Sequence, residues 1–176
     1  MGKEAIRSEK PSATVAETKG YEPPEPHLEY LGRWYVDLIA PVWDLGETSD
    51  LGKRRIFPIT GGTFTGPHIK GQILNNGADW QIVTKDGVSI IDTRYLLQTD
   101  DGAYIYLQTK GFRHGPDAVL AKVAQGEVVD PAQYYFRITM QFETSSSIYN
   151  YLNRHIAIAC AMRLGNAIIY DAYLVK

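Results

Sequence analysis

Hydrophobic and polar residues alternate in short segments from residue 28 onward, a period that predicts β-strands rather than helices. We predict strands over 28–40, 54–60, 69–74, 78–84, 88–99, 103–113, 133–144, 155–164 and 167–175. Most are joined by tight turns with glycine, such as 75–77, 85–87 and 100–102, which are hairpin signals. The segment 155–164 fits a helix as well as a strand, and the Gly165-Asn166 turn after it favours a hairpin.

Eight or nine sequential strands form a sheet that must close on itself or split in two. The sequence predicts no long amphipathic helix that could cover an open sheet. It suggests a short helix at 118–126 and a helical turn within a loop at 145–154. Residues 41–53 are predicted to form a loop. The expected fold is therefore all-β, a single antiparallel up-and-down β-barrel of about 8–10 strands with little helix. A barrel of this size leaves space for one small ligand.

The domain is expected to span residues 28–176. Residues 1–27 are polar and contain Pro23, Pro24 and Pro26, a composition that predicts an extended or disordered tail.

Charge and composition narrow the function. The net charge of −2 argues against nucleic acid, which needs a basic surface. The one cysteine, Cys160, forms no internal disulfide and indicates a reducing compartment. With no signal peptide and no apolar run of membrane-spanning length, we expect a cytoplasmic protein with no membrane partner. The four histidines lack metal-ligand spacing, and no phosphate-binding or dinucleotide motif occurs, so we expect no metal and no cofactor.

Two aspartates are the candidate acid and base. Asp92 and Arg94 are two residues apart on one strand and share a face, which leaves two interpretations: a weak exposed ion pair, or an acid–base pair inside the barrel. Asp79, just inside a hairpin, is either a turn-capping residue or a carboxyl at the barrel mouth. Because alternation does not tell which face is inside, the assignment can err by one whole face. Arg54 and Arg55 must point to opposite faces, and we expect one of them in the lumen.

Several spaced motifs resemble one known family. They are RRIFPITGGTFTGP (54–67), GADWQ (77–81), DTRYLLQTDDGAYIY (92–106), GFRHGP (111–116), GEVVDPAQYYFR (126–137) and FET (142–144). Together they resemble the domain-of-unknown-function family numbered 3237 over roughly residues 28–176. The chain departs from that pattern at Asn75-Asn76, where a proline and a glycine are expected, and at Thr93, where alanine is commoner.

The resemblance implies a calycin-like barrel that often self-associates, so we expect a homo-oligomer. Some fungal members are similar to cofactor-free ring-closing enzymes of secondary metabolism, including hydroalkoxylases that add a phenol across an alkene of an aromatic polyketide. This predicts a cofactor-independent cyclase acting on a prenylated aromatic small molecule in the lumen. The expected catalytic residues are Asp79, Asp92 and Arg94, and the expected substrate-binding residues are Arg54, Arg55, Trp80, Tyr104, Tyr106, Arg113, His114, Arg137 and Glu143.

Two other functions stay open from the sequence. A closed barrel suits a lipocalin-like carrier or sensor of a hydrophobic metabolite equally well, since fold alone does not decide function. A structural module that only oligomerises is the third.

Overall fold

A computed structural model describes residues 22–39 and 42–176. Its strands are β1 Leu28–Leu38, β2 Trp43–Ser49, β3 Gly52–Thr65, β4 Lys70–Ile73, β5 Gly77–Thr84, β6 Ser89–Thr99, β7 Tyr104–His114, β8 Tyr135–Glu143, β9 Ala157–Leu164 and β10 Ala167–Val175. Its one α-helix in the described residues, α1, is Asp117–Ala124, and 3₁₀ helices span Pro131–Gln133 and Asn150–Arg154. Of the predicted tail, residues 1–21 lie outside the described residues, and 22–27 have no regular structure.

The strands close into an eight-stranded antiparallel barrel, which confirms the predicted fold class. Sequential pairing runs from β6 through β7, β8, β9 and β10, and β10 then pairs with β1. Closure comes from β3, which pairs with β1 on one side and with β4 and β5 on the other. Because β4 and β5 both pair with β6, they occupy one position in the wall between β3 and β6.

A pair of glycines lets β3 serve as two successive wall segments. Its first half pairs with β2 and β5, and its second half pairs with β1 and β4. Gly62, where the halves meet, has a φ of +128°, and a Cβ there would lie 2.0 Å from the carbonyl oxygen of Tyr35. Only glycine permits this approach, so the Gly61-Gly62 pair is a barrel corner rather than the end of a strand.

Two predicted boundaries were wrong. Residues 43–49 form β2 where a loop was expected, since their partners along β3 satisfy the backbone despite the weak alternation. Strand β3 continues to Thr65, past the predicted end at residue 60, because the glycine corner bends it instead of ending it. The short helix and the strand at residues 155–164 were correctly predicted.

One half of the lumen is filled by large side chains. Trp34 is fully buried and stacks between Phe64, with ring centroids 5.5 Å apart, and Tyr170, at 5.8 Å. Phe142 packs on the same indole at 6.5 Å. Of these four residues only Tyr170 lines the open space of the lumen, which therefore lies beyond Tyr170 from the rest of the cluster.

Tyr170 and Tyr95 form the floor of that open space, and their hydroxyl groups hydrogen-bond to each other. We expect Tyr170→Phe to lower the free energy of unfolding by about 1–2 kcal/mol, because it leaves the buried Tyr95 hydroxyl without this partner. Urea denaturation checks this, with Tyr30→Phe on the exposed outer surface as the matched control. Equal small losses in both variants would contradict a buried structural pair.

Candidate functional site

The open half of the barrel encloses a cavity. The space outside protein atoms there is about 480 Å³, part of which is open to solvent. The residues lining it are Val36, Leu38, Phe57, Ile59, Asp79, Gln81, Ile91, Thr93, Tyr95, Thr109, Arg113, Phe136, Ile138, Arg163, Ile168 and Tyr170. The wall is thus mostly apolar, with a few polar groups directed at the contents.

Asp79 is the one carboxyl among these lining residues. It lies on β5 facing inward, and its two oxygens accept hydrogen bonds of 3.2 Å from the backbone N–H of Asp92 and from Nε2 of Gln81. Burial raises the pKa of Asp79 to about 6, although those two hydrogen bonds and the charge of Arg113 oppose the rise. A carboxyl titrating near neutrality can deliver a proton and take one back.

Two arginines from other strands reach the same cavity. Arg113 on β7 donates a 3.2 Å hydrogen bond to Oγ of Ser89, and its guanidinium lies 5.6 Å from the ring centroid of Phe136. Arg163 on β9 donates from Nε to the carbonyl oxygen of Gly165 at 3.3 Å. Burial, followed by the charge of Arg163, lowers the pKa of Arg113 to about 10, so Arg113 stays positive at neutral pH.

Arg55 extends this positive cluster. The guanidinium groups of Arg55 and Arg163 lie 5.1 and 5.3 Å from the ring centroid of Phe57, which lines the cavity. Burial and then the charge of Arg55 lower the pKa of Arg163. Arg55 lies beside the cavity and lines a separate surface depression with Asp44, whereas Arg54 donates to the carbonyl oxygen of Trp80. Neither arginine of the pair is among the residues that line the cavity, where one of them was expected.

Asp92 and Arg94 lie on the outer face of β6. The buried face of that strand carries Ser89, Ile91, Thr93, Tyr95 and Leu97, so the expectation of a lumenal acid–base pair was wrong by one face. Their side chains form a half-exposed ion pair, with Nη1 of Arg94 3.3 Å from Oδ1 of Asp92. Asp92 contributes to the site through its backbone N–H alone.

The other predicted binding residues do not line the cavity. Trp80 lies under the guanidinium of Arg94 on the outer surface, at 5.9 Å. His114 stacks on Tyr135 at 4.8 Å, and Arg137 lies over the same ring at 5.3 Å, again outside. A separate shallow outer depression is lined by residues that include Tyr104, Tyr106 and Glu143. Of the predicted set, the structure brings together Asp79 and Arg113 in the cavity, with Arg55 beside it.

Two cavity-lining residues, Gln81 and Arg163, are absent from the site predicted from the sequence. The buried face of β9 carries Ala157, Ala159 and Ala161, and Arg163 is the next residue on that face. This alternation indicates that Arg163 points into the barrel. That signal was hidden because 155–164 was ambiguous between helix and strand. Gln81 shares its face with Asp79 but resembles an ordinary exposed strand glutamine; it is 2% exposed.

The outer ion pair provides a control for the site. We expect Arg94→Gln to change the free energy of unfolding by no more than about 1 kcal/mol, since half-exposed pairs contribute little. We also expect it to leave ligand binding in the lumen unchanged. Thermal unfolding and calorimetric titration check both; a loss of binding as large as that of a lumenal variant would contradict the outward placement.

Within the described ranges, no group of three or more His, Cys, Asp or Glu side chains is arranged to hold a metal ion. No helix in the described part of the chain is long and apolar enough to cross a membrane.

Comparison with known proteins places the chain among proteins of largely unassigned function. The family model described as "Protein of unknown function (DUF3237)" matches residues 26–175. A UPF0311 protein of Clostridium acetobutylicum is 38% identical over 132 residues, covering 75% of this chain and 84% of that protein. A β-barrel-like protein from Acinetobacter baumannii with a known crystal structure is 66% identical in sequence to this chain. The two structures match with a TM-score of 0.79, over 89% of this chain and 99% of that protein.

A fungal relative has a named activity. The hydroalkoxylation enzyme phnH of Penicillium herquei is 28% identical over 134 residues, which cover 76% of this chain and 73% of that enzyme. The crystal structure of an enzyme from the same fungus matches 89% of this chain and 99% of its own, with 25% identity and a TM-score of 0.63. The bacterial proteins are thus more similar to this chain than the fungal enzyme is.

Proposed function

The chain belongs to the DUF3237 family, and we propose that it is a cofactor-independent enzyme that closes a ring in a small organic substrate by moving protons inside the barrel. The finer proposal is hydroalkoxylation: addition of a phenol hydroxyl across an alkene of a prenylated aromatic molecule. The observation that carries it is Asp79, a carboxyl that lines the cavity and whose desolvation there raises its pKa to about 6.

One carboxyl can serve both proton transfers in this reaction. Protonated Asp79 gives its proton to one alkene carbon, and the C=C π electrons form the new C–H bond. The phenol oxygen then bonds to the other, electron-deficient carbon and loses its proton to the Asp79 carboxylate. Reactant and product have the same atoms, and the acid is regenerated. This scheme with one carboxyl replaces the expectation that two aspartates supply the acid and the base, because the side chain of Asp92 is outside.

The shape and polarity of the cavity support such a reaction. The narrow, apolar space holds a flexible alkenyl chain against the phenol oxygen and excludes competing water, which lowers the entropic part of the barrier. The relationship to a hydroalkoxylation enzyme supports the same reaction class.

The second candidate function is a carrier that binds a similar molecule without reaction. It is favoured by the mostly apolar lining, which would suit any small aromatic ligand. A carrier does not need a carboxyl of raised pKa at the ligand, because desolvating such a group costs stability. The presence of Asp79 therefore favours the enzyme.

A direct assay separates the two. Purified protein is incubated with a prenylated phenol, without added metal or cofactor, and the products are separated by chiral chromatography with mass detection. The enzyme predicts an isomer of unchanged mass, formed faster than in buffer and with one enantiomer in excess. Saturable binding of a substrate that stays unchanged would contradict the enzyme and support the carrier.

A further inference from the structure

The cavity contains more positive than negative charge. Arg113 and Arg163 line it and Arg55 lies beside it over Phe57, whereas Asp79 supplies the one lining carboxylate. Within the described ranges, no carboxylate oxygen lies within 4 Å of a guanidinium nitrogen of Arg113 or Arg163. Arg55 has one acidic neighbour, Asp44, at 3.7 Å on the outer side. Even with Asp79 ionised, this end of the lumen keeps a net positive charge.

Partly buried cations that share too few counter-ions cost free energy unless a binding partner supplies the missing charge. Arg113 donates to the hydroxyl of Ser89, and Arg163 donates to the backbone carbonyl of Gly165. Both acceptors are neutral. These arginines are held in place by the fold: the backbone N–H of Arg163 donates to the Tyr134 hydroxyl at 2.9 Å, and Arg113 is tied to Ser89. The cluster is therefore positioned in advance of any ligand.

A second, independent observation points to a ligand at the same place. Oε1 of Gln81 is buried and has no hydrogen-bond partner, although Nε2 of the same side chain donates to Asp79. Unpaired buried acceptors are rare in folded proteins. Since Gln81 lines the cavity beside Asp79, its free oxygen can accept from an O–H or N–H group of the cavity's contents.

The geometry points to a ligand class: we propose that the lumen binds a small aromatic molecule carrying a planar oxyanion, a carboxylate or an ionised enol, against Arg113 and Arg163. Planar guanidinium groups match such oxygens with paired hydrogen bonds, and apolar lining side chains such as Ile59, Ile91 and Ile138 provide the surface for the aromatic body. The inference rests on the proposed function in taking the lumen as the reaction site, and it names the anionic group its substrate carries.

The test uses benzoate and benzamide, which share one shape and differ in charge. Neither contains an alkene, so binding is measured apart from ring closure, and failure of the cyclase proposal would leave this result unaffected. Titration calorimetry on the full chain at pH 7 is expected to give at least about tenfold tighter binding of benzoate, the gain typical of one charge-assisted hydrogen bond. Equal affinities, or no binding of benzoate, would overturn the proposal without recourse to any variant.

A substitution then locates the anion. Arg163→Gln is expected to weaken benzoate binding about tenfold or more while leaving benzamide binding unchanged. Arg94→Gln, outside the barrel, is the matched control and should leave both affinities unchanged. If Arg163→Gln does not fold, Arg163→Lys, which keeps the charge but loses the paired planar donors, is expected to weaken benzoate binding less but measurably. Unaltered benzoate affinity in a folded Arg163 variant would overturn the assignment.

Discussion

Replacing Asp79 by asparagine is expected to lower the turnover of a ring-closing substrate by at least about 100-fold, the usual contribution of a positioned acid–base group. Asparagine keeps the size of the side chain, and its carbonyl oxygen still accepts from the backbone N–H of Asp92. It cannot carry the transferred proton. Substrate affinity should therefore fall little, since the apolar walls and the arginines are unchanged.

The measurement pairs single-turnover rates with calorimetric affinities for wild type and Asp79→Asn. Arg94→Gln, the outer-surface control, is expected to match wild type in both. If turnover and affinity of Asp79→Asn fall by the same factor, the carboxyl is a binding or structural group. If turnover is unchanged, the proton carrier is elsewhere.

The same substitution is expected to change how stability depends on pH. The pKa of Asp79 is 3.8 in its ordinary state and about 6 in the folded barrel, so the folded state holds this proton more tightly than the unfolded state. As the pH rises from about 4 to 6, the unfolded chain loses the proton before the folded chain does, so the free energy of unfolding of the wild-type protein falls. Above pH 6 this loss of stability stays constant. A difference of about two pH units corresponds to about 3 kcal/mol.

The Asp79→Asn variant has no titrating side chain at this position, so it does not lose this part of the free energy of unfolding as the pH rises. Its free energy of unfolding, minus that of wild type, should therefore rise by about 2.4 kcal/mol between pH 4 and pH 7. Urea denaturation over that range measures the difference, and groups that titrate alike in both proteins cancel. A difference that stays constant with pH would mean that burial of Asp79 does not raise its pKa.

The sequence was sufficient to predict the closed barrel because alternation and glycine turns are local signals. The strands from β5 to β10 were all recognised in this way. The long strand β3 was not, since its continuation depends on Gly62 fitting against the carbonyl of Tyr35 across the wall. That contact is tertiary and has no signature in the neighbouring residues.

The site was predicted less completely for a related reason. Alternation groups Asp92 with Arg94 and Ser89 with Thr93, but only barrel closure decides which set is inside. Asp79 was chosen for its place beside a hairpin, and the structure puts it in the cavity. Arg163 could be found only once β9 was known to be a strand whose buried face carries alanines.

Whether protonated Asp79 is the acid of a reaction in the lumen is tested most directly by the pH dependence of kcat/KM. The substrate should be a prenylated phenol that does not itself ionise between pH 4 and 8, so that the profile reports the free enzyme. With Asp79 as the acid, we expect a plateau at low pH and a tenfold fall per pH unit above about 6. A rate that rises through pH 6, or stays flat across it, would contradict an acid at this position.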